Sequence, residues 1–220
     1  MARYNNVSLS VVRRLPRYYR FLEDLLNRGV HRISSREMAQ KMGLTASQIR
    51  QDLNCFGGFG QQGYGYNIDA LYSEIGKILG LDQNMKCIVI GVGNLGTAIT
   101  RHIPYESLGF NLIGAFDISP SVVGKEVRGI TVKHTSEIES FCKLHHPKAA
   151  VLCIPKEPAL EIAKQLVECG VFGFWNFAHV DLATSFDDVV VQDVYLGDSL
   201  MTLSYLMNEF ENEHNPDKGV

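Results

Sequence analysis

The sequence predicts an α/β fold in which an N-terminal winged helix-turn-helix domain precedes a Rossmann-like domain and a terminal apolar helix. Three observations support this prediction. Residues 34–56 hold two helix-capping patterns on either side of a glycine, and a stretch rich in glycine and aromatic residues follows them. From residue 86 onward, short apolar runs alternate with helical patterns, as in a parallel sheet covered by helices. Residues 1–80 carry a net charge of +5, whereas residues 81–220 carry −8.

The division of charge bears on partners and on domain boundaries. A basic block joined to an acidic block indicates two domains with different partners, and the alternative is that surface charge merely fluctuates along the chain. We expect domains at 1–80 and 81–193, a helix at 194–211 and a polar tail at 212–220.

Composition excludes several classes of protein. The chain has 220 residues, 45% of them hydrophobic, which is enough for packed cores. No apolar run approaches the ~20 residues that span a bilayer, and the polar segment Met1–Ser8 lacks the apolar region of a signal peptide. We therefore expect a soluble, cytoplasmic protein without a membrane partner. The five cysteines form no C-x-x-C pair, so buried thiols are expected rather than disulfides or a metal site.

The first eighty residues read as a helix followed by a helix-turn-helix. Apolar residues recur at helical spacing from Leu15, and this pattern ends at Gly29. Ser34-Ser35-Arg36-Glu37 fits a capping box whose helix ends near Gly43, and Thr45-Ala46-Ser47-Gln48 fits a second. Two capped helices with a glycine in the short turn between them are typical of this DNA-binding motif.

The second of these helices, predicted over Thr45–Phe56, has the side chains of a reading helix. Ile49, Leu53 and Phe56 share one stripe and should face the core. The residues left outward can reach the edges of bases, where Arg pairs with guanine and Asn or Gln with adenine. Basic residues near the start of the first helix should contact phosphates. The predicted DNA-binding side chains are Ser47, Gln48, Arg50, Gln51 and Asn54 for the bases, with Arg14 and Arg17 for the phosphates.

A wing is predicted directly after the reading helix. Gly57–Tyr66 contains five glycines and three aromatic residues, which cannot continue a helix and suit a tight two-stranded ribbon. Backbone groups at Gly58 and Gly60 would face phosphates. A further helix from Ile68 to Gly80 closes the domain. The alternative is a helical bundle used only for protein contacts.

The stretch Lys86–Asp117 predicts a dinucleotide site. An apolar strand passes into Gly91-Val92-Gly93-Asn94-Leu95-Gly96 and a helix, and a second strand stops at Asp117. The glycines allow a tight turn, close approach to a diphosphate and close helix packing, and the acid is placed for a ribose. No basic residue follows Asp117 before Lys125, which favours NAD(H) over NADP(H). The alternative is a glycine-rich turn that binds nothing.

Strand–helix alternation continues to Phe177. Ligands of such sheets lie beyond the carboxyl ends of the strands, which places Asn176, Phe177 and Ala178 near the cofactor. Asn176 is the candidate polar contact, with an ordinary strand-end cap as its alternative. No histidine lies in a catalytic signature and there is no separate substrate domain, so no catalytic residue is expected. A small NAD-dependent oxidoreductase or an acyl-CoA-binding Rossmann protein remains the alternative.

The last helix carries an apolar stripe at Leu196, Leu200, Leu203 and Met207. It follows a sheet that is already complete, so the stripe docks either on a second copy of the chain or on its own domain.

Taken together, these features resemble the redox-sensing transcriptional repressor Rex family over essentially the whole chain. The combination is far more specific than any single stretch. The matching stretches are Arg14-Leu15-Pro16-Arg17-Tyr18-Tyr19, Gly29-Val30-His31-Arg32-Ile33-Ser34-Ser35, Ile49-Arg50-Gln51-Asp52-Leu53, Gly91-Val92-Gly93-Asn94-Leu95-Gly96, Phe116-Asp117 and Asn176-Phe177-Ala178.

The resemblance implies a homodimer that binds operator DNA when the NADH/NAD+ ratio is low and releases it when NADH binds. It also implies that the terminal helix is exchanged between subunits. Family members often carry an aspartate at the start of that helix, which pairs with an N-terminal arginine in the DNA-bound form, and Tyr195 stands there in this chain. Asp193 or Asp198 is available to replace it. The family's stacking tyrosine after the glycine motif falls near His102 or Tyr105.

Overall fold

The computed structural model describes residues 7–57, 59–61 and 64–214. Packing divides the chain into two compact units, Met1–Gln83 and Asn84–Val220. The first unit is a helical domain with a small antiparallel sheet, and the second is a parallel sheet covered by helices. The predicted α/β fold class is therefore confirmed.

Five helices and three short strands form the first unit, within its described residues. The elements are α1 (Leu9–Val12), α2 (Leu15–Asn27), β1 (Arg32–Ile33), α3 (Ser35–Met42), α4 (Ala46–Asn54), β2 (Gly60–Gln61), β3 (Gly65–Asn67) and α5 (Ile68–Ile78). The helices pack around buried apolar side chains that recur at helical spacing, as on α2, where Leu15, Tyr18 and Leu22 are fully buried. The strand order is β1-β3-β2, both pairs being antiparallel.

Local sequence signals explain the helix-turn-helix in this unit. The Ser34 side chain accepts from the Glu37 N–H, and the Glu37 carboxylate accepts from the Ser34 N–H, which completes the predicted capping box. α3 ends at Gly43 with φ +64°, a left-handed conformation that favours glycine. The Thr45 hydroxyl then accepts from the Gln48 N–H at 3.1 Å and starts α4.

The second unit is a seven-stranded sheet in the order β10-β9-β8-β4-β5-β7-β6, parallel except for the β6–β7 pair. The strands are β4 (Met85–Ile90), β5 (Phe110–Asp117), β6 (Glu126–Val127), β7 (Ile130–His134), β8 (Ala149–Leu152), β9 (Gly173–Asn176) and β10 (Val190–Asp193). The helices are α6 (Asn94–His102), α7 (Ile138–His145), α8 (Lys156–Glu168) and α9 (Leu196–His214), with 3₁₀ helices at Tyr105–Leu108 and Thr135–Glu137.

Two layers cover this sheet. α7 and α8 bury one face, where Ile88, Ile90 and Phe116 are fully buried. α6 and the Tyr105–Leu108 turn pack on the other face. Since β4 is central and its successors lie on both sides of it, the chain reverses its strand order at the carboxyl end of β4, where ligands of such sheets bind.

Two strands in this unit were not predicted. β6 has only two residues, too few for a periodic signal. β10 lies in an acidic stretch and leaves Val190 exposed, so its residues do not show a clean alternation of apolar and polar side chains. It forms because it pairs in parallel with β9, from Val190 beside Gly173 to Asp193 beside Asn176. Among the described helices, none is long and apolar enough to cross a membrane.

Candidate functional site

The turn after β4 forms the backbone of the candidate nucleotide site. Gly91 follows Ile90 with φ +89°, a left-handed conformation, and its N–H donates to the Phe116 carbonyl at 2.8 Å. α6 begins at Asn94 with Gly93 as its N-cap, so no side chain caps the first N–H groups of that helix. Those N–H groups and the positive end of the helix dipole suit an anionic ligand.

The three glycines differ in the space around them. A Cβ at Gly96 would lie 1.8 Å from the Gly91 carbonyl oxygen, and a Cβ at Gly91 would lie 2.5 Å from the Cys153 carbonyl oxygen. These two glycines therefore let α6, the turn and the end of β8 come together. A Cβ at Gly93 would meet no heavy atom within 4 Å. The space beside Gly93 is the side from which a ligand can approach the helix.

Asp117 ends β5 and supplies the carboxylate of the site. Its Oδ2 accepts from the Val92 N–H at 2.6 Å, and its Oδ1 accepts from the Ser119 N–H at 2.8 Å. The Thr97 hydroxyl, which sequence reasoning did not single out, donates to the Val92 carbonyl at 3.0 Å. The carboxylate thus holds the turn against β5, and each oxygen keeps a further lone pair for a ligand hydroxyl. Beside it, the Ile118 side chain is 70% exposed.

The predicted polar contact of Asn176 with the cofactor needs correction. Asn176 is 1% exposed. Its Nδ2 donates to the Val180 carbonyl at 2.8 Å and to Asp193 Oδ1 at 2.7 Å, and its Oδ1 accepts from the Ala178 N–H at 3.0 Å. Because both amide hydrogens are used, the side chain has no donor left for a ligand. Asn176 instead ties the end of β9 to β10, which is the strand-end cap considered as its alternative.

The neighbours of Asn176 are also packed inward. Phe177 lies in a core with Trp175, their ring centroids being 4.9 Å apart, and Ala178 is buried. Only backbone groups of these two residues remain for a ligand. Cys153, whose backbone lies against the glycine turn, has its thiol pKa raised to about 12 by burial. That thiol stays protonated near neutral pH and is a poor nucleophile.

In the first unit, α4 presents the predicted polar face. Ile49 and Leu53 are buried in the core, with Phe56 half-buried beside them. The Arg50 guanidinium donates to the Ser35 hydroxyl at 3.0 Å, which places it beside the start of α3. The predicted reading residues all lie on the accessible side of the helix: Ser47, Arg50, Gln51 and Asn54 are exposed and Gln48 is half-buried.

Arg14 was predicted to contact a DNA phosphate, but its guanidinium is bound to a carboxylate of its own domain. Its Nε donates to Asp52 Oδ2 at 2.6 Å and its Nη2 donates to Asp52 Oδ1 at 2.7 Å. The Tyr18 hydroxyl donates to the same carboxylate at 2.6 Å. Asp52 is 3% exposed and Tyr18 is fully buried, whereas the Arg14 side chain is 27% exposed, so this ionic cluster lies at the edge of the domain core. Asp52 lies three residues after Ile49, on the stripe of α4 that faces the core, and this spacing was the sequence signal that its carboxylate is buried against another side chain.

The other predicted phosphate contacts are placed as follows. The exposed Arg17 donates from Nη2 to the Met42 carbonyl at the end of α3. Gly60 lies in β2, which pairs with β3 and forms the ribbon after α4. Gly58 lies outside the described residues.

The terminal helix and the sheet both leave apolar surface exposed. α9 has no buried residue, and its stripe is 50–67% exposed at Leu196, Leu200, Leu203 and Met207. A cavity of about 450 Å³ opens on the sheet face that carries α6. Its walls are almost wholly apolar, and the Tyr105 hydroxyl at this site is buried without a hydrogen-bond partner in the described chain. The cavity is lined by residues including Cys87, Tyr105, Phe110, Val151, Trp175 and Val190.

Tyr195 precedes α9, where the family resemblance placed an aspartate. Its ring lies 5.0 Å from that of His179, and the neighbouring Asp193 carboxylate raises its pKa. Asp193 is bound to Asn176, whereas Asp198 is exposed in the first turn of α9. Among the described residues no group of three or more His, Cys, Asp or Glu is placed to hold a metal ion.

Comparison with known families matches each unit separately. Residues 6–54 match the family described as "Putative DNA-binding protein N-terminus". Residues 82–180 match the family described as "CoA binding domain".

Whole-chain relatives are similar over nearly their full length. A redox-sensing transcriptional repressor Rex from Caldicellulosiruptor saccharolyticus is 53% identical over 209 residues, covering 95% of each chain. The repressor of the same name from Clostridium novyi is 47% identical, covering 96% of this chain and all of that one. A crystal structure of RSP in complex with β-NAD+ and operator DNA has a TM-score of 0.87 at 50% identity, covering 97% and 99%. RSP in complex with β-NADH matches at a TM-score of 0.87 and 47% identity, covering 97% of this chain and 100% of that one.

Proposed function

The chain belongs to the Rex family of redox-sensing transcriptional repressors, and we propose that it binds operator DNA through its first unit and releases it when NADH occupies the second. The observation that carries this proposal is the pairing of two sites in one chain: a helix-turn-helix with an outward polar face, and a glycine turn with an open N-cap. A similar protein, RSP, has been crystallised with β-NAD+ and operator DNA and with β-NADH.

The nucleotide is held at the carboxyl end of β4. The diphosphate lies at the N-cap of α6 beside Gly93, where a Cβ would find open space. Asp117 accepts hydrogen bonds from the adenosine ribose with its remaining lone pairs, and the exposed Ile118 offers apolar surface to the adenine. Backbone groups also surround the diphosphate, at Val92, Asn94, Leu95 and Gly96. Further backbone groups lie at the carboxyl end of β9, at Phe177 and Ala178.

DNA is read by α4 in the major groove. Arg50 and Gln51 make the central base contacts, with Ser47, Gln48 and Asn54 on the same accessible face. We expect Arg17 and the backbone of Gly60 to contact phosphates, whereas Gly58 lies outside the described residues. A bidentate pair of hydrogen bonds from a side chain to a base contributes about 1–3 kcal/mol of discrimination against the wrong base, so the loss of Arg50 should relax base preference. We place the protein in the cytoplasm, because a repressor acts on the chromosome.

The functional unit is a homodimer joined by α9. An exposed apolar stripe costs free energy in water, and the apolar cavity on the sheet of a second copy is a surface that could cover it. Two-fold symmetry would then present two α4 helices to successive major grooves, about 34–36 Å apart. Asp198, exposed at the start of α9, is the acid available to replace the aspartate missing at position 195.

A mobility-shift assay tests the function. Operator DNA is selected by the purified protein from a pool of random duplexes, and binding is measured with NADH, with NAD+ and without nucleotide. We expect a sequence-specific complex that NADH dissociates and NAD+ preserves. A protein that binds no sequence and instead oxidises NADH with carbonyl substrates would support the oxidoreductase alternative.

The match of residues 82–180 to the CoA binding domain family is the observation behind the second alternative. It covers the second unit alone, whereas the repressors match 95% or more of the chain. Adding acyl-CoA in place of NADH to the same assay tests it, and release by acyl-CoA alone would favour that ligand.

A further inference from the structure

An ionic cluster at the edge of the core, with a buried carboxylate and a partly exposed arginine, joins the first long helix to the reading helix. Arg14 and Tyr18 lie on α2, and Asp52 lies on the inner face of α4. Three hydrogen bonds of 2.6, 2.6 and 2.7 Å connect the three side chains. Both carboxylate oxygens are engaged, and the Arg14 fork meets them in a bidentate arrangement that fixes angle as well as distance.

The charge of this cluster argues for a geometric role. Removing a carboxylate from water is costly, and a buried ion pair rarely stabilises a fold more than apolar residues of the same volume would. A device of this kind can instead select one arrangement of the elements that it joins. Here it fixes the rotation of α4 about its own axis, because the buried Asp52 lies roughly 200° around the helix from the exposed Arg50.

The same turn of α2 also contacts α3, the first helix of the helix-turn-helix. Arg17 lies three residues after Arg14 and one before Tyr18, and it donates to the Met42 carbonyl at the last residue of α3. One turn of α2 therefore contacts both helices of the helix-turn-helix: α3 through Arg17, and α4 through Arg14 and Tyr18. α4 is therefore held through Asp52 on its inner side, next in sequence to the outward residue Gln51.

We infer that Arg14 and Tyr18 are positioning residues that orient α4 for base reading through Asp52, and that Arg14 is not a phosphate contact. This inference rests on the proposed DNA-binding function and deepens it. It predicts different effects on the affinity for operator DNA and on the affinity for random DNA. Disturbing the cluster should lower affinity for the operator, where the direction of each α4 side chain counts, and should leave affinity for random DNA nearly unchanged.

The test compares full-length variants on two duplexes of equal length, the operator selected by the wild-type protein and a random sequence, over a range of salt concentrations. The variants are Arg14→Gln, Asp52→Asn and their combination. Arg28→Gln, at the exposed C-terminal end of α2, is the matched control for loss of one positive charge. Circular dichroism and thermal melting establish that each variant is folded.

We expect Arg14→Gln and Asp52→Asn each to weaken operator binding about tenfold or more while random-DNA affinity changes by less than about twofold. The double variant should lose little more than the worse single variant, since both changes break one cluster. The salt slope of Arg14→Gln on random DNA should equal that of the wild-type protein. Equal losses on both duplexes, with the slope reduced by about one, would show that Arg14 contacts a phosphate and would overturn the inference.

Tyr18→Phe keeps the test decisive if the charge variants fail to fold, because it removes a hydroxyl and leaves the packed ring. It should reduce the ratio of operator to random affinity by a few fold, with a matching melting curve. An unchanged ratio in all folded variants would overturn the inference while the proposed function stands. A wild-type protein that selects no sequence from the random pool would overturn both.

Discussion

At the scale of single residues, the nucleotide site combines two kinds of glycine. Gly96 is required by the packing of the protein itself, because a Cβ there would overlap the Gly91 carbonyl at 1.8 Å. Gly93 is required by nothing within the described protein, since the space around it is open. On the proposed placement of the diphosphate, Gly96 is needed for folding and Gly93 for the ligand.

Substituting alanine at each position should therefore give opposite results. Gly93→Ala should leave the free energy of unfolding within about 0.5 kcal/mol of wild type and lower NADH and NAD+ affinity about tenfold, because the methyl group occupies the space of the diphosphate. Gly96→Ala should destabilise the second unit by about 3 kcal/mol or more through overpacking. Denaturant unfolding and calorimetric titration measure the two effects. Normal nucleotide binding by folded Gly93→Ala would contradict the placement of the diphosphate.

Asp52 leads to a prediction about pH. Burial alone would raise the pKa of its carboxyl, but hydrogen bonds from Arg14 and Tyr18 outweigh burial and the net pKa is below its usual range. A carboxyl with a lowered pKa in the folded state stabilises the fold above its unfolded pKa near 4, and that contribution is lost as pH falls through the folded pKa.

Asp52→Asn should accordingly lower the free energy of unfolding of the first unit by about 3 kcal/mol at pH 7. The gap from wild type should shrink as pH falls below about 4, because the unfolded wild-type chain then binds a proton at Asp52 while the folded chain keeps that carboxyl charged down to its lower folded pKa. Urea unfolding between pH 2.5 and 7 measures both curves. A gap that is constant over this range would mean that the carboxylate charge contributes nothing.

At the scale of elements, α6 is held at both ends by groups from other segments of its unit. The turn before α6 is tied to β5 by the hydrogen bond from the Val92 N–H to Asp117. At its last turn, Arg128 donates to the Ile103 carbonyl at 2.5 Å and the Thr100 carbonyl at 3.4 Å, and it pairs with Glu106 at 2.6 Å. A cation at a helix C-terminus also interacts favourably with the dipole. These contacts hold α6 in place within the protein itself.

α9 shows the opposite condition, because the described part of its own chain leaves it uncovered. Leu203→Glu places a charge in the apolar stripe and should raise the dissociation constant of the homodimer by about a hundredfold, since a buried leucine contributes roughly 1.5–3 kcal/mol and a charge is costly to bury. Asn208→Glu adds the same charge away from the stripe and should leave the dimer intact. Sedimentation equilibrium compares the variants. A dimer that is equally stable in both would show that α9 does not join the subunits.

At the scale of the whole molecule, two binding sites in different units must be linked in free energy. A ligand with equal affinity for the DNA-binding and the released arrangement shifts nothing, so NADH can release DNA only by preferring one of them. Because linkage is reciprocal, operator DNA must weaken NADH binding by the factor by which NADH weakens DNA binding.

Calorimetry with and without saturating operator tests this linkage. We expect the NADH dissociation constant to rise about 5- to 150-fold on the operator, the range of typical coupling free energies, and the NAD+ constant to change much less. Asp117→Ala serves as the control for the adenosine end: it should weaken both nucleotides alike and leave operator binding without nucleotide near the wild-type value. An NADH affinity that the operator does not change would exclude the redox switch.

Much of this protein follows from short-range sequence alone. The capping box at Ser34, the glycine stop at Gly43 and the turn from Gly91 to Gly96 act within a few residues of themselves, so their chemistry can be read directly from the chain. The helical stripe of α4 likewise separates the residues in the core from those left outward. Fold class and the general position of both sites were predictable for this reason.

Tertiary structure decided which partner each polar side chain received. Arg14 is a basic residue in a basic domain and suggests a phosphate contact, but Asp52 lies 38 residues away in sequence and reaches it only after the helices pack. Asn176 meets Asp193 because β9 and β10 pair in parallel, a contact between strands that no local pattern reports. Hydrogen bonds between distant residues depend on the positions of whole elements, whereas caps and turns depend on neighbouring backbone, and this physical difference separates what the sequence determined from what the fold decided.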